Sequence, residues 1–197
     1  MLGALLLEHF EADAIGAVRT LGDLLGVFAS DRAQDRHLPS ALVERRQAIA
    51  DALLFRAYRR TLFPNAAAEE RALEMNEGLA EYTGVKLSGT LNLNQYMIDN
   101  NLKDNANRET FVRSFAYATG PAYGVLLDET KAEWRKNLKK EDDLGNLLQK
   151  KLSVKLPQNI KQAAELRAKI YDGEKLQAFE TERENNRQKV LAEYRAK

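Results

Sequence analysis

Apolar residues return every three or four positions through most of this chain. Its four prolines, Pro39, Pro64, Pro121 and Pro157, fall where that spacing breaks or begins. This is the period of amphipathic helices, and no segment alternates strongly enough to define a sheet. Only Lys86 to Leu93 could form one short strand. The expected fold is mainly α, a multi-helix bundle of about seven or eight helices.

The spacing predicts where those helices lie. Phe10, Ala14, Val18, Leu21, Leu25 and Phe28 share one face of a first helix, which Gly16, Gly22 and Gly26 weaken. Ser30 to Pro39 is polar and reads as a loop. Ser40 is placed to cap a second helix, lined by Leu42, Ile49, Leu53 and Ala57 and ending near Leu62-Phe63-Pro64. A third begins at Ala66, carries Glu69 and Glu70 in its first turn, where they suit the helix dipole, and runs to Gly84. Leu91 to Leu102 reads as a short helix between asparagine-rich loops. Glu109 to Thr119 forms another, Gly120-Pro121 punctuates, and Pro121 starts a new helix reaching about Leu138. Asp143 opens a short amphipathic helix with Leu144, Leu147, Leu148 and Leu152 facing inward. After Pro157 the composition turns to Lys, Glu, Gln, Arg and Ala, and Asp172-Gly173 splits that stretch into two helices. Residues 1–157 therefore read as the main helical domain, and 158–197 as a charged helical C-terminal arm.

Composition narrows the function. The 197 residues are 44% hydrophobic and 30% charged, which suits one domain with a sizeable core. Thirty basic against 29 acidic residues leave a formal charge of +1, so no electrostatic case arises for nucleic acid. Cysteine is absent, which excludes disulfides, thiol catalysis and Cys-ligated metals. No apolar run approaches the ~18 residues of a membrane span. The apolar start, Met1 to Leu7, lacks a basic flank and a cleavage site, so it makes a poor signal peptide. The compartment stays open. There is no Walker loop, Gly-x-Gly-x-x-Gly turn or Gly-x-Ser-x-Gly elbow.

Two segments carry chemistry. In Asn76-Glu77-Gly78-Leu79-Ala80-Glu81-Tyr82, two glutamates four apart project from one side of a helix. Some forty residues on, Ser114-Phe115-Ala116-Tyr117-Ala118-Thr119-Gly120 precedes Pro121-Ala122-Tyr123-Gly124-Val125-Leu126-Leu127-Asp128. The first resembles the third-ligand motif of gluzincin zinc peptidases, and the second the tyrosine segment downstream of it. The resemblance spans roughly Ala50 to Leu152 and points to a little-characterised bacterial group.

It implies the helical half of a gluzincin catalytic domain, with Glu77 a zinc ligand and Glu81 orienting a ligand histidine. Tyr117, with Tyr123 in reserve, would stabilise the oxyanion formed from a peptide substrate. Arg108 and Arg113 could bind a substrate carboxylate. Such enzymes also need a His-Glu-x-x-His helix for two ligands and the general base. The two histidines here, His9 and His37, do not form one. The expectation is a zinc-metallopeptidase-like chain, truncated or degenerate and inactive alone, with zinc as the cofactor of an intact homologue and the cofactor of this chain, zinc or none, left open. The alternative is a non-enzymatic helical scaffold whose C-terminal helices dock a protein partner.

Overall fold

The computed structural model describes residues 39–89, 114–130, 133–171 and 173–196. Among them every regular element is helical. The first expected helix, the loop after it and the Leu91 to Leu102 segment lie outside the described residues.

Helix α1 spans Pro39–Leu62. Pro39 is its first residue, where a missing N–H is least costly, so Ser40 lies inside the first turn rather than capping it. Helix α2 (Ala66–Leu73), a π turn (Glu74–Gly78) and α3 (Leu79–Leu87) follow one another without a break. The π turn widens the spiral locally. Glu70, Glu74, Gly78, Tyr82 and Val85 are all buried along this composite helix. It passes the expected end at Gly84 and stops before Gly89, whose φ of 74° suits glycine at a helix C-terminus. Lys86 and Leu87 are thus helical, and the rest of the possible strand lies mostly outside the described residues.

Helix α4 (Phe115–Glu129) supplies much of the core among the described residues. Pro121 lies inside it instead of starting a new helix, and the helix ends at Glu129 instead of near Leu138. A proline interior to a helix costs about 3 kcal/mol. Continuous burial from Ala118 through Leu127 outweighs that, because interrupting the helix would expose this surface. At the far end the Thr130 hydroxyl donates to the Leu127 carbonyl at 2.7 Å. Trp134 then packs its ring against Tyr82, with centroids 5.8 Å apart.

Helix α5 (Leu144–Lys151) is capped by Asp143, whose carboxylate accepts the Asn146 N–H at 2.8 Å. Leu144 and Leu148 are wholly buried in the core and Leu147 and Leu152 pack at its edge, as the spacing predicts. Asn159 caps α6 (Ile160–Ala168) by accepting the Gln162 N–H. A short 3-10 turn (Lys169–Tyr171) leads to α7 (Gly173–Arg195).

The segment after Pro157 is tied to α1. Leu54 and Phe55 enclose Ala164, and Tyr171 meets Phe55 edge-on at 5.7 Å. Beside them Asp51, 1% exposed, accepts from Gln47, from Arg167 and, at 2.7 Å, from the Tyr171 hydroxyl. Burial, then the Asp51 bond, pushes the Tyr171 phenol well above its ordinary range. No helix among the described residues is long and apolar enough to cross a membrane.

Candidate functional site

Helix α4 meets the π turn backbone to backbone. A Cβ placed on Gly120 would lie 2.4 Å from the Gly78 Cα, and one on Gly78 would lie 2.7 Å from the Ala116 carbonyl oxygen. Only hydrogen fits between these backbones, so two glycines fix how closely the helices cross. The contact joins the two segments singled out in the sequence. Glu77 directly precedes Gly78, and Tyr117 directly follows Ala116.

Glu77 and Glu81 are both half-buried. Tyr117 is 38% exposed, whereas Tyr123 is 2% exposed beneath the Arg56 guanidinium, 5.2 Å from its ring centre. Burial pushes the Tyr123 phenol up to about 12. Tyr123 is a core residue, and of the two phenols only Tyr117 reaches the surface. His9, His37, Arg108 and Arg113 lie outside the described residues. Among those described, no group of three or more His, Cys, Asp or Glu side chains is placed to hold a metal ion.

Among the described residues Glu74 is the fully buried glutamate, whereas Glu77 is half-buried. Arg56 grips it with both terminal nitrogens, at 2.7 and 2.5 Å, and reaches Asp143 at 3.1 Å. The Thr119 hydroxyl lies 2.8 Å from the Glu74 Oε1. Arg60 bridges Glu70 at 2.8 Å and Asp143 at 2.7 Å, and Arg59 also pairs with Glu70. Three arginines therefore face three carboxylates, and the cluster ties α1, α2, the π turn, α4 and α5 together with no net charge. A usable sequence signal existed: Glu70, Glu74, Gly78 and Tyr82 recur at four-residue spacing, opposite Arg56 and Arg60, themselves four apart.

Burial disfavours the ionised form of Asp143. The Arg56 and Arg60 charges and the Asn146 N–H outweigh it and hold this carboxyl at about 2. A depressed carboxyl contributes stability above its unfolded value, near 4, and loses it as pH falls through the folded one. Urea unfolding should accordingly lose about 2 kcal/mol between roughly pH 4 and pH 2, and Asp143→Asn should flatten that acid limb.

A second cluster closes the other end of α3. The Tyr82 hydroxyl donates to Asp128 at 2.5 Å, Trp134 Nε1 donates to the same carboxylate at 2.9 Å, and Lys86 and Arg135 pair with it. Burial works against the charge on Asp128, but these donors hold its carboxyl below the usual range. Asp128, which ends the tyrosine segment, is thus an anchor for α3 and the Trp134 turn.

Comparison with protein-family models, with curated proteins and with solved structures gives no match to this chain.

Proposed function

We propose that this chain is the helical part of a zinc-metallopeptidase-like protein, with Glu77 as a metal ligand, Glu81 orienting a ligand imidazole and Tyr117 donating to the oxyanion of a peptide substrate. The observation that carries this reading is the Gly78–Gly120 contact. It sets together the two segments that resemble gluzincin motifs, although Gly78 and Gly120 lie 42 positions apart in sequence. The placement of the side chains supports it further, since both glutamates are half-buried and Tyr117 is 38% exposed.

Carboxylate oxygens are accepted zinc donors beside imidazoles, so Glu77 suits the role. When bound, zinc supplies an activated water and polarises the substrate carbonyl. Two imidazoles four apart are absent from these 197 residues, so in this reading they come from a segment encoded outside them.

The test is to read the coding sequence upstream of the Met1 codon and express the whole frame. A His-Glu-x-x-His segment is expected there, with one zinc bound per chain. Glu77→Gln should abolish that binding, and Glu81→Gln should weaken it by about 10- to 100-fold. Tyr117→Phe should lower kcat by roughly 100-fold or more with zinc occupancy unchanged. Zinc binding indifferent to Glu77 would favour the scaffold reading, which the exposed Val190 and Tyr194 of α7 support.

A further inference from the structure

A cleft of about 470 Å³ opens between α2 and α5 with the turn before it, lined among others by Ala67, Ala68, Arg71, Asp142, Asn146 and Lys150. Its size falls within the ~300–1,000 Å³ of small-molecule sites. It lies apart from Glu77 and Tyr117 and does not depend on the role proposed for them.

Arg60 borders this cleft but is committed to Glu70 and Asp143. Arg71 is different. Its Nε is buried without a partner, and among the described residues its guanidinium makes no hydrogen bond or ion pair. Arg56 and Arg59 also leave Nε unpaired, yet their terminal nitrogens are bound to carboxylates. An arginine stays charged and holds its donors in a planar fork, so an unpartnered one lining a cleft is matched by a planar anion. Lys150 adds a second cation with no ion pair among the described residues.

Two acids, Asp142 and Glu141, also line the cleft. Asp142 accepts the Lys139 N–H at 2.7 Å, and Glu141 lies 3.6 Å from Lys140. They would repel a phosphate dianion and attract an ammonium group. Ala67 and Ala68, both exposed, leave the α2 wall open for an aliphatic group.

We infer that this cleft binds a small zwitterion, a free amino acid or a dipeptide, with its carboxylate on Arg71 and Lys150 and its ammonium toward Asp142 and Glu141. Calorimetric titration of the full chain at neutral pH tests this with L-alanine, L-alanyl-L-alanine, L-alaninamide and inorganic phosphate. At least one zwitterion should bind with a Kd of roughly 1 mM or tighter, and the relative affinity of the two tells amino acid from dipeptide. L-Alaninamide, which lacks the carboxylate, and phosphate should bind at least about tenfold more weakly. Arg71→Met should weaken zwitterion binding by about tenfold or more while leaving the circular dichroism unchanged. Lys150→Glu, on an exposed side chain, gives the same readout without risk to the core. Undiminished binding by either variant, phosphate binding tighter than both zwitterions, or no heat from either zwitterion at roughly 20 mM would overturn the inference.

Discussion

Replacing Gly120 by alanine is expected to unfold the bundle or leave it barely folded. The added methyl would sit 2.4 Å from the Gly78 Cα and 2.8 Å from the Gly78 carbonyl carbon. Both are backbone atoms of a packed helix, so no rotamer change relieves the clash. Overpacking a core costs typically 1–3 kcal/mol, and here the rigid neighbour places the loss at about 3 kcal/mol or more. A marginally stable domain has only ~5–15 kcal/mol in total. Gly78→Ala meets the Ala116 carbonyl oxygen and Gly120 Cα and should behave alike. At Gly124 the obstacle is the Tyr82 ring, a side chain, so Gly124→Ala should cost less. Thermal unfolding of the three variants gives the order directly.

The second large effect is expected from Arg56→Met. It leaves Glu74, fully buried, with the Thr119 hydroxyl as its one remaining side-chain donor among the described residues. Removing one partner of a buried pair costs about 3–5 kcal/mol, mostly because the other charge is left uncompensated. Adding Glu74→Met should restore much of the loss, because no buried charge then lacks a partner, and Asp143 keeps Arg60 at 2.7 Å. Urea unfolding of both single variants and the double variant closes a mutant cycle, and its coupling term should be the largest in the protein. If the double variant were less stable than Arg56→Met, the cluster would not be working as a matched set of charges.

The helices were legible where spacing and caps agreed. Asp143 before Leu144, Leu147, Leu148 and Leu152 gave both the start and the buried face of α5, and the expected division of the C-terminal stretch into two helices holds, with α7 starting at Gly173. The sequence misled at Pro121, because a local breaker signal does not register the buried surface on both sides of it. Glu70, read as a first-turn acid that suits the helix dipole, lies past the first turn and is buried between Arg59 and Arg60. The four-residue spacing of Glu70 and Glu74, and of Arg56 and Arg60, marks the two faces, but ion pairs between residues ten to ninety apart leave no local pattern, so which arginine meets which carboxylate, and the part of Asp143, emerged only from the fold. At the candidate site, the glycine of the Glu77 segment proved to be a contact point with the Tyr117 helix. Gly78 lets another backbone approach closely, but nothing in either segment alone names Gly120 as its partner.

The most direct check on the functional account is diffraction on either side of the zinc absorption edge, from crystals of the complete reading frame grown with zinc. The account predicts one anomalous peak about 2.0–2.2 Å from a Glu77 carboxylate oxygen, lost in Glu77→Gln. A peak bound elsewhere, or one that survives Glu77→Gln, would contradict it.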